Sequence, residues 1–378
     1  MLGLVRFHSL VCNWTMFSHA KAVSQQEANS IILRMIRKTF LHLFLALLVS
    51  TATSGQNLYT DTLDIYWIDV EGGAATLIVT PNHESILMDA GWRRPDNRDA
   101  HRILAAMSDA NINRIDYFIT SHFHRDHVDG LPALAAEVPI GQFIDHGDSV
   151  EQHRDTGRAS WDTYIELASD NRRIVAPGDK LRLSGVEFSF VAARGQIQDY
   201  ALEPLGLNPY CQDSSMGENL QGENASSVGY LLSLGAFQFL NLGDLTPNIQ
   251  HLLACPENKL GTIDLYQVPH HGNSSGLSEA LTLALQPSVA VINNGPHKGA
   301  GEDSFELISR IENLEDVWQL HRALDTDDSH NANEHLIANH SDEDACNGHW
   351  IRAMVHPDGR SYVLMNSRNG SSRTYVSN

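Results

Sequence analysis

Apolar residues fall into short runs rich in β-branched side chains, broken by Gly, Pro and Asn, and into stretches with apolar positions three and four apart. Residues 63–70, 75–80 and 85–89 are runs of the first kind, separated by Gly72, Gly73, Pro81 and Asn82, and predict strands joined by tight turns. Residues 98–110 place Ile103, Leu104 and Met107 at helical spacing, and 115–120 return to a strand-like run. Beyond it, 131–137 and 161–169 predict helices, and 141–145 and 186–192 predict strands. Residues 196–223 have weak periodicity and many Gly, Asn, Pro and Ser residues, which predicts a long loop of the kind that covers or shapes a site. The alternation then resumes, with strands at 227–234, 237–242, 263–268 and 289–293 and helices at 247–253, 278–285 and 305–311. Pro357, Asp358 and Gly359 between two strand-like runs predict a terminal hairpin. Strands followed by helices, twice over, predict an α/β (α+β) sandwich of two mixed sheets flanked by helices. We expect one catalytic domain over 60–325, with a tail over 326–378 packed on it.

Upstream, Arg34, Arg37 and Lys38 precede FLHLFLALLV at residues 40–49, and Ser50, Thr51 and Ala52 follow. The apolar run is too short to span a bilayer and suits the core of a signal peptide. Residues 1–52 are therefore expected to be a leader cleaved near Ala52, with 1–34 an over-extended start if translation begins at Met35. The expected product is exported, periplasmic or secreted, with no stable membrane span. Loss of Cys12 with the leader leaves Cys211, Cys255 and Cys346, hence one disulfide and one spare thiol with three pairings open. No C-x-x-C pair is present, so a thiolate zinc site is not expected.

The chain's 26 Lys and Arg against 46 Asp and Glu give a formal charge of −20, which argues against a surface that grips extended nucleic acid. A small-molecule ester or phosphoester is the expected partner; the oligomeric state stays open.

Chemistry concentrates at residues 121–130, SHFHRDHVDG. Three imidazoles and a carboxylate, His122, His124, Asp126 and His127, stand within six positions, too dense for a histidine core and wrong for a helix face. Imidazole with carboxylate suits Zn²⁺, Mn²⁺ or Fe. Alternate residues of an extended segment point the same way, so His122 and His124 share one metal, and Asp126 and His127, past the turn, reach a second.

An H-x-H-x-D-H segment at a strand end resembles the signature of the metallo-β-lactamase superfamily. IYWIDVEGGAATLIVTPNHESILMDAG at 65–91, Glu223, Asn224 and Ser227 before two strands ending in Gly243-Asp244, and then His270-His271-Gly272 resemble its ComEC/Rec2-like branch, in the same order. The resemblance covers 63–293 and implies an αββα sandwich holding two divalent metals, zinc first, with manganese or iron as alternatives. It implies that Asp244 bridges the metals, that His271 completes the second while His270 contacts substrate or donates a proton, and that His146 is the third ligand of the first. Asp89 is implied to orient the cluster from behind.

Two cations sharing a water bring its pKa toward about 7, which supplies hydroxide at neutral pH and leaves Asp126 to orient or deprotonate that water. The expected activity is metal-dependent hydrolysis of a phosphoester or similar ester. The alternatives are a lactam or lactone hydrolase, and a noncatalytic metal-binding component of a DNA-uptake or envelope assembly. His297 and Lys298, in NNGPHKG at 293–299, are a second place for an anion. Ser274 and Ser275 read as polar loop residues, and His321, His330, His335 and His340 as surface.

Overall fold

Leu63–Trp67 (β1) carries only buried side chains, so both of its faces need cover. The computed structural model describes residues 61–201, 206–212, 221–342 and 346–378, within one unit spanning Tyr59–Asn378. The expected leader lies outside the described residues.

After β1 come Thr76–Val79 (β2), Ser85–Met88 (β3), Ile115–Ile119 (β4), Ile140–Asp145 (β5), Arg172–Ile174 (β6), Lys180–Arg182 (β7), Glu187–Ala193 (β8) and Gln196–Ile197 (β9). The chain continues through Gly229–Leu234 (β10), Phe237–Asn241 (β11), Leu265–Gln267 (β12), Val289–Ile292 (β13), Asp316–His321 (β14), Ile337–Asn339 (β15), Ile351–Val355 (β16), Ser361–Asn366 (β17) and Ser372–Val376 (β18). One sheet has the order β18-β17-β16-β1-β2-β3-β4-β5-β6, the other β15-β14-β13-β12-β11-β10-β8-β7, with β9 paired to β8. Both mix parallel and antiparallel neighbours: β3, β4, β5 and β6 run parallel in the first, and β11 to β15 in the second.

Inward-facing side chains of both sheets, among them Trp67, Phe188, Tyr230, Phe239 and Trp318, form one buried layer. Trp67 meets Phe239 across it edge to face, centroids 5.6 Å apart, and each such buried side chain contributes about 1.5–3 kcal/mol. Arg98–Asp109 (α1), Arg125–Val128 (α2), Leu131–Ala135 (α3) and Asp155–Ala168 (α4) cover the outer face of the first sheet. Pro247–Ala254 (α5), Glu279–Leu285 (α6) and Glu302–Ser309 (α7) cover the second. The architecture is the expected αββα sandwich.

The chain from Asp316 onward departs from expectation. β14 and β15 lengthen the second sheet, and the predicted hairpin, β16 with β17, is part of the first, where β16 pairs with β1 along its whole length from Leu63↔Val355 to Trp67↔Ile351. The C-terminal segment is thus structural sheet. His321, read as surface from its polar neighbours, is wholly buried at the end of β14. Among the described residues Cys211 and Cys255 form a disulfide, and Cys346 is a free thiol.

Three donors converge on Gln267 Oε1 in the inter-sheet layer: Trp67 Nε1 at 2.8 Å, Thr76 Oγ1 at 2.9 Å and Asn241 Nδ2 at 2.9 Å. Such fully bonded polar groups fix register where apolar packing tolerates slippage. Asn241 Oδ1 accepts the Gly243 N–H at 2.9 Å, which shapes the turn before Asp244.

At the opposite end of β11, Asp264 accepts backbone N–H bonds from Gln238 at 2.7 Å and Asn378 at 2.8 Å. Burial outweighs these bonds and pushes its carboxyl up from 3.8 to about 6. A carboxyl whose pKa is higher folded than unfolded stabilises the fold when protonated, so stability should fall as pH rises from about 4 to about 6 and level off above. Asp264→Asn should flatten that segment of the curve, by an amount on the order of 1–3 kcal/mol, measured by urea denaturation at a series of pH values. An unchanged slope would count against this account.

Candidate metal centre

Four strand ends meet at one edge of the sandwich. β3 delivers Asp89, β4 delivers Ser121 to His127, β11 delivers Asp244, and β12 delivers His270 and His271. Strand ends are where an α/β sheet frees side chains from its ladder and exposes them at a crevice.

Around one point stand His127 Nε2, His271 Nε2, Asp126 Oδ2 and Asp244 Oδ2. Each imidazole nitrogen lies 3.3 or 3.4 Å from each carboxylate oxygen. Donors about 2.0–2.2 Å from a tetrahedral metal stand about 3.4 Å apart, so the spacing fits a divalent cation. The other ring nitrogens are fixed: His127 Nδ1 bonds Asp89 Oδ2 at 2.8 Å, and His271 Nδ1 bonds the Asn293 carbonyl at 3.2 Å. Both Nε2 atoms are buried without a hydrogen-bond partner. Buried polar atoms are rarely left so, and a metal satisfies them.

Beside this group His122 Nε2 lies 3.0 Å from His124 Nδ1 and 3.9 Å from Asp244 Oδ2. These three suit a second cation, with Asp244 between the two. Burial and the neighbouring His127 hold the His122 pKa well below its usual value, so its nitrogen is neutral and able to ligate. Burial alone would depress His127 too, but the carboxylates of Asp244, Asp126 and Asp89 outweigh it and drive its pKa well up. Against burial, His127 and its neighbours pull Asp126 well down, and His271 and His127 do the same to Asp244. Two fully ionised carboxylates in a buried pocket are an invitation to positive charge.

The backbone is shaped for this convergence. His270 and His271 are both left-handed, with φ of 52° and 56°, a strained choice for residues with a Cβ. The turn is held by bonds from His270 N to Gly243 O at 3.0 Å and from Ala300 N to His271 O at 2.9 Å. Gly243 has φ +55°, and a Cβ there would sit 2.9 Å from that of Ser121. Ser121 in turn donates its N–H and hydroxyl to Asp89 at 2.8 and 2.7 Å. Asp89 thus bonds both Ser121 and His127 from behind the cluster.

The structure does not bring His146 to this group. Its Nε2 lies 2.9 Å from Glu223 Oε1, which also accepts the Phe123 N–H at 3.0 Å. Glu223 Oε2 accepts the Ser149 hydroxyl and the Val150 N–H, both at 2.9 Å. The expected third ligand of the first metal is corrected on this ground: His146 is committed to the carboxylate that braces the loop between His122 and His124. His270, half-exposed, has its Nε2 3.1 Å from Asn224 Nδ2 and 3.8 Å from Asp244 Oδ2, and burial holds its pKa down.

The loop flagged for an anion divides its two residues. His297 points outward to Asp325 and Asp342. Lys298 reaches in, its Nζ on Asp126 Oδ2 and 5.2 Å from the centre of the Trp92 ring. Trp92, Phe123, His124, Arg125, Asp126 and Glu151 line a cleft of about 280 Å³ at the mouth of the cluster.

Residues 68–192, which contain the H-x-H-x-D-H segment, match the model of the metallo-beta-lactamase superfamily. Over that stretch the chain resembles the superfamily. Over 276 residues the chain is 25% identical to Recombination protein 2 of Haemophilus influenzae, a match covering 71% of this chain and 29% of that one, and it fits the Rec2-like branch. The chain thus spans well under half the length of that relative. Among solved structures, the metallo-beta-lactamase fold protein YhfI of Bacillus subtilis aligns at 11% identity over 68% of this chain and 96% of its own, TM-score 0.42. CmlA, a diiron beta-hydroxylase from Streptomyces venezuelae, aligns at 16% identity over 67% and 47%, TM-score 0.37.

Two residues beyond the matched stretch hold a place that the sequence pattern did not give them. Glu223 stood only as part of a motif, and Lys298 stood with His297 as a place for an anion, its contact with Asp126 not foreseen. The signal for Glu223 was present: a carboxylate immediately before Asn224 in a segment otherwise poor in charge. Lys298 follows a predicted strand end, as the ligands do.

Proposed function

We propose that this chain is an exported hydrolase that holds two divalent metal ions, zinc first, and cleaves phosphodiesters. The observation that carries the reading is the pair of partnerless buried imidazole nitrogens, each 3.3 or 3.4 Å from two ionised carboxylates. His122, His124 and Asp244 would hold one ion, and Asp126, His127, His271 and the shared Asp244 the other. Metal bound there supplies Lewis acidity toward the oxygen under attack and an activated water.

The chain's own residues do the rest. With Asn224 Nδ2 donating to it, His270 Nε2 is an acceptor on a neutral ring, suited to taking a proton from the attacking water rather than giving one to the leaving group. Lys298, against Asp126 at the mouth of the cleft, is placed to bind an anionic substrate oxygen, which favours a phosphodiester over a neutral lactone. Relationship to a protein named for recombination supports nucleic-acid chemistry, while the charge of −20 and the small cleft favour a short or single diester over an extended duplex. Export is supported by the leader-like segment and by the Cys211–Cys255 disulfide. Among the described residues no helix is long and apolar enough to cross a membrane.

The test is turnover of bis(p-nitrophenyl) phosphate by the protein loaded with Zn²⁺ or Mn²⁺, with nitrocefin in parallel. Diester hydrolysis abolished by chelation supports the proposal. Nitrocefin turnover alone selects the lactam alternative, and metal retained with no turnover of either compound selects the noncatalytic one.

A further inference from the structure

A second convergence of donors lies on residues the catalytic reading does not use. Asp69 and Glu71 follow β1, His321 ends β14, and Cys346 lies between β15 and β16. One donor atom from each falls within 4.8 Å of every other. Cys346 Sγ is 3.0 Å from Asp69 Oδ2 and 3.5 Å from His321 Nε2, and His321 Nε2 is 3.0 Å from Asp69 Oδ1. A tetrahedral zinc with sulfur at about 2.3 Å and nitrogen or oxygen at about 2.0–2.2 Å has edges of about 3.4–3.6 Å; the sulfur–nitrogen separation of 3.5 Å matches, and the two 3.0 Å contacts to Asp69 would open by about 0.5 Å on binding.

We propose that Asp69, Glu71, His321 and Cys346 form a structural zinc site distinct from the histidine-rich centre. Three further observations support it. First, three buried carboxylates, Asp69, Glu71 and Asp99, are met among the described residues by two arginines, Arg98 and Arg102, and by His321, itself one of the four donors and neutral when it ligates. A dication together with a thiolate brings the group to neutrality, and a buried net charge is costly. Second, Glu71 is buried and its Oε2 has no hydrogen-bond partner. Third, the Gly348 N–H points at Cys346 Sγ from 3.4 Å, an outer-sphere contact that favours a ligating sulfur. Arg102 bonds Asp69 Oδ2 at 2.9 Å and Glu71 Oε1 at 3.1 Å, so it orients the carboxylates from outside and leaves them further lone pairs.

Four protein donors make the site closed, hence structural rather than catalytic. Its position gives it work to do. It ties β1 of one sheet to β14 of the other, and Glu71 precedes Gly72, where a Cβ would lie 2.9 Å from that of Lys298. Asn294, on the loop before Lys298, bonds the His321 carbonyl at 2.8 Å. The site therefore backs the loop that carries Lys298 to Asp126. It also shields from oxidation the one free thiol among the described residues, in a chain that forms a disulfide.

Cobalt distinguishes the two centres, because the histidine-rich centre contains no sulfur. Protein produced in cobalt medium should show a near-ultraviolet sulfur-to-cobalt charge-transfer band. Asp126→Asn combined with His271→Ala should leave that band in place, whereas Cys346→Ser should abolish it and lower the metal content by one equivalent. In the unaltered chain, thiol reagent should reach Cys346 only after chelation, a readout that does not depend on a variant folding. Absence of the band together with equal thiol reactivity before and after chelation would overturn the proposal, leaving the reading of the histidine-rich centre untouched.

Discussion

Asp244→Ala should strip the histidine-rich centre of at least one metal equivalent and lower phosphodiester turnover by more than about 10³-fold. Asp244 Oδ2 is the atom common to both donor groups, 3.3 Å from His127, 3.4 Å from His271 and 3.9 Å from His122. Loss of a single transition-state donor already costs about 10²–10³ in rate, and here Lewis acidity and water activation go together. Asp244→Asn keeps the shape and removes the charge, so it should fall nearly as far. Elemental analysis and turnover of the same preparations decide the matter. A variant with full metal content and wild-type rate would remove Asp244 from the site.

Glu223→Ala should cost about 3–5 kcal/mol of stability, the usual penalty for removing one partner of a buried charged pair, and on the order of 10 °C in melting temperature. The carboxylate accepts from Phe123 N, His146 Nε2, Ser149 Oγ and Val150 N, so its removal strands four groups away from water. Phe123 sits between His122 and His124, and metal affinity should drop about 10–100-fold as those rings lose their backing. Glu223→Gln, which still offers one oxygen, should lie between. Calorimetry of the metal-free proteins isolates the fold's share, and competition with a chromophoric chelator gives the affinity. Equal melting temperatures for wild type and Glu223→Ala would refute the bracing role.

What could be read from the sequence follows from how local the information was. His122, His124, Asp126 and His127 crowd into six positions after a strand, so both their chemistry and their location were legible. Asp244 and His271 stood alone in sequence, and only their resemblance to a known order of motifs identified them. His146 shared their setting at a strand end, but its partner Glu223 lies 77 residues away, and no spacing rule links the two. His321 lay in an Asp- and Asn-rich stretch that reads as solvated; its burial is decided by β15, Asn294 and Asp69, which the local pattern does not contain. The cluster with Asp69, Glu71 and Cys346 was invisible for the same reason. β14 was missed because Asp316, Gln319 and His321 interrupt its apolar residues, and those polar side chains are satisfied only in the assembled sheets, as in the bonds of Asp316 to Arg373 and Tyr375. The αββα plan, in contrast, rests on many short runs whose errors at the ends do not alter the layers.

The pairing of β1 with β16 has a consequence for how this molecule comes into being. Asp64 and Arg352, 288 residues apart, are ion-pair partners across that ladder. A sheet whose inner strand waits for a neighbour made so much later cannot close while the chain is still emerging, and such distant pairings slow the search for the native state. Until then the greasy flank of β1 stays open to unwanted partners, which makes an escort during synthesis advantageous.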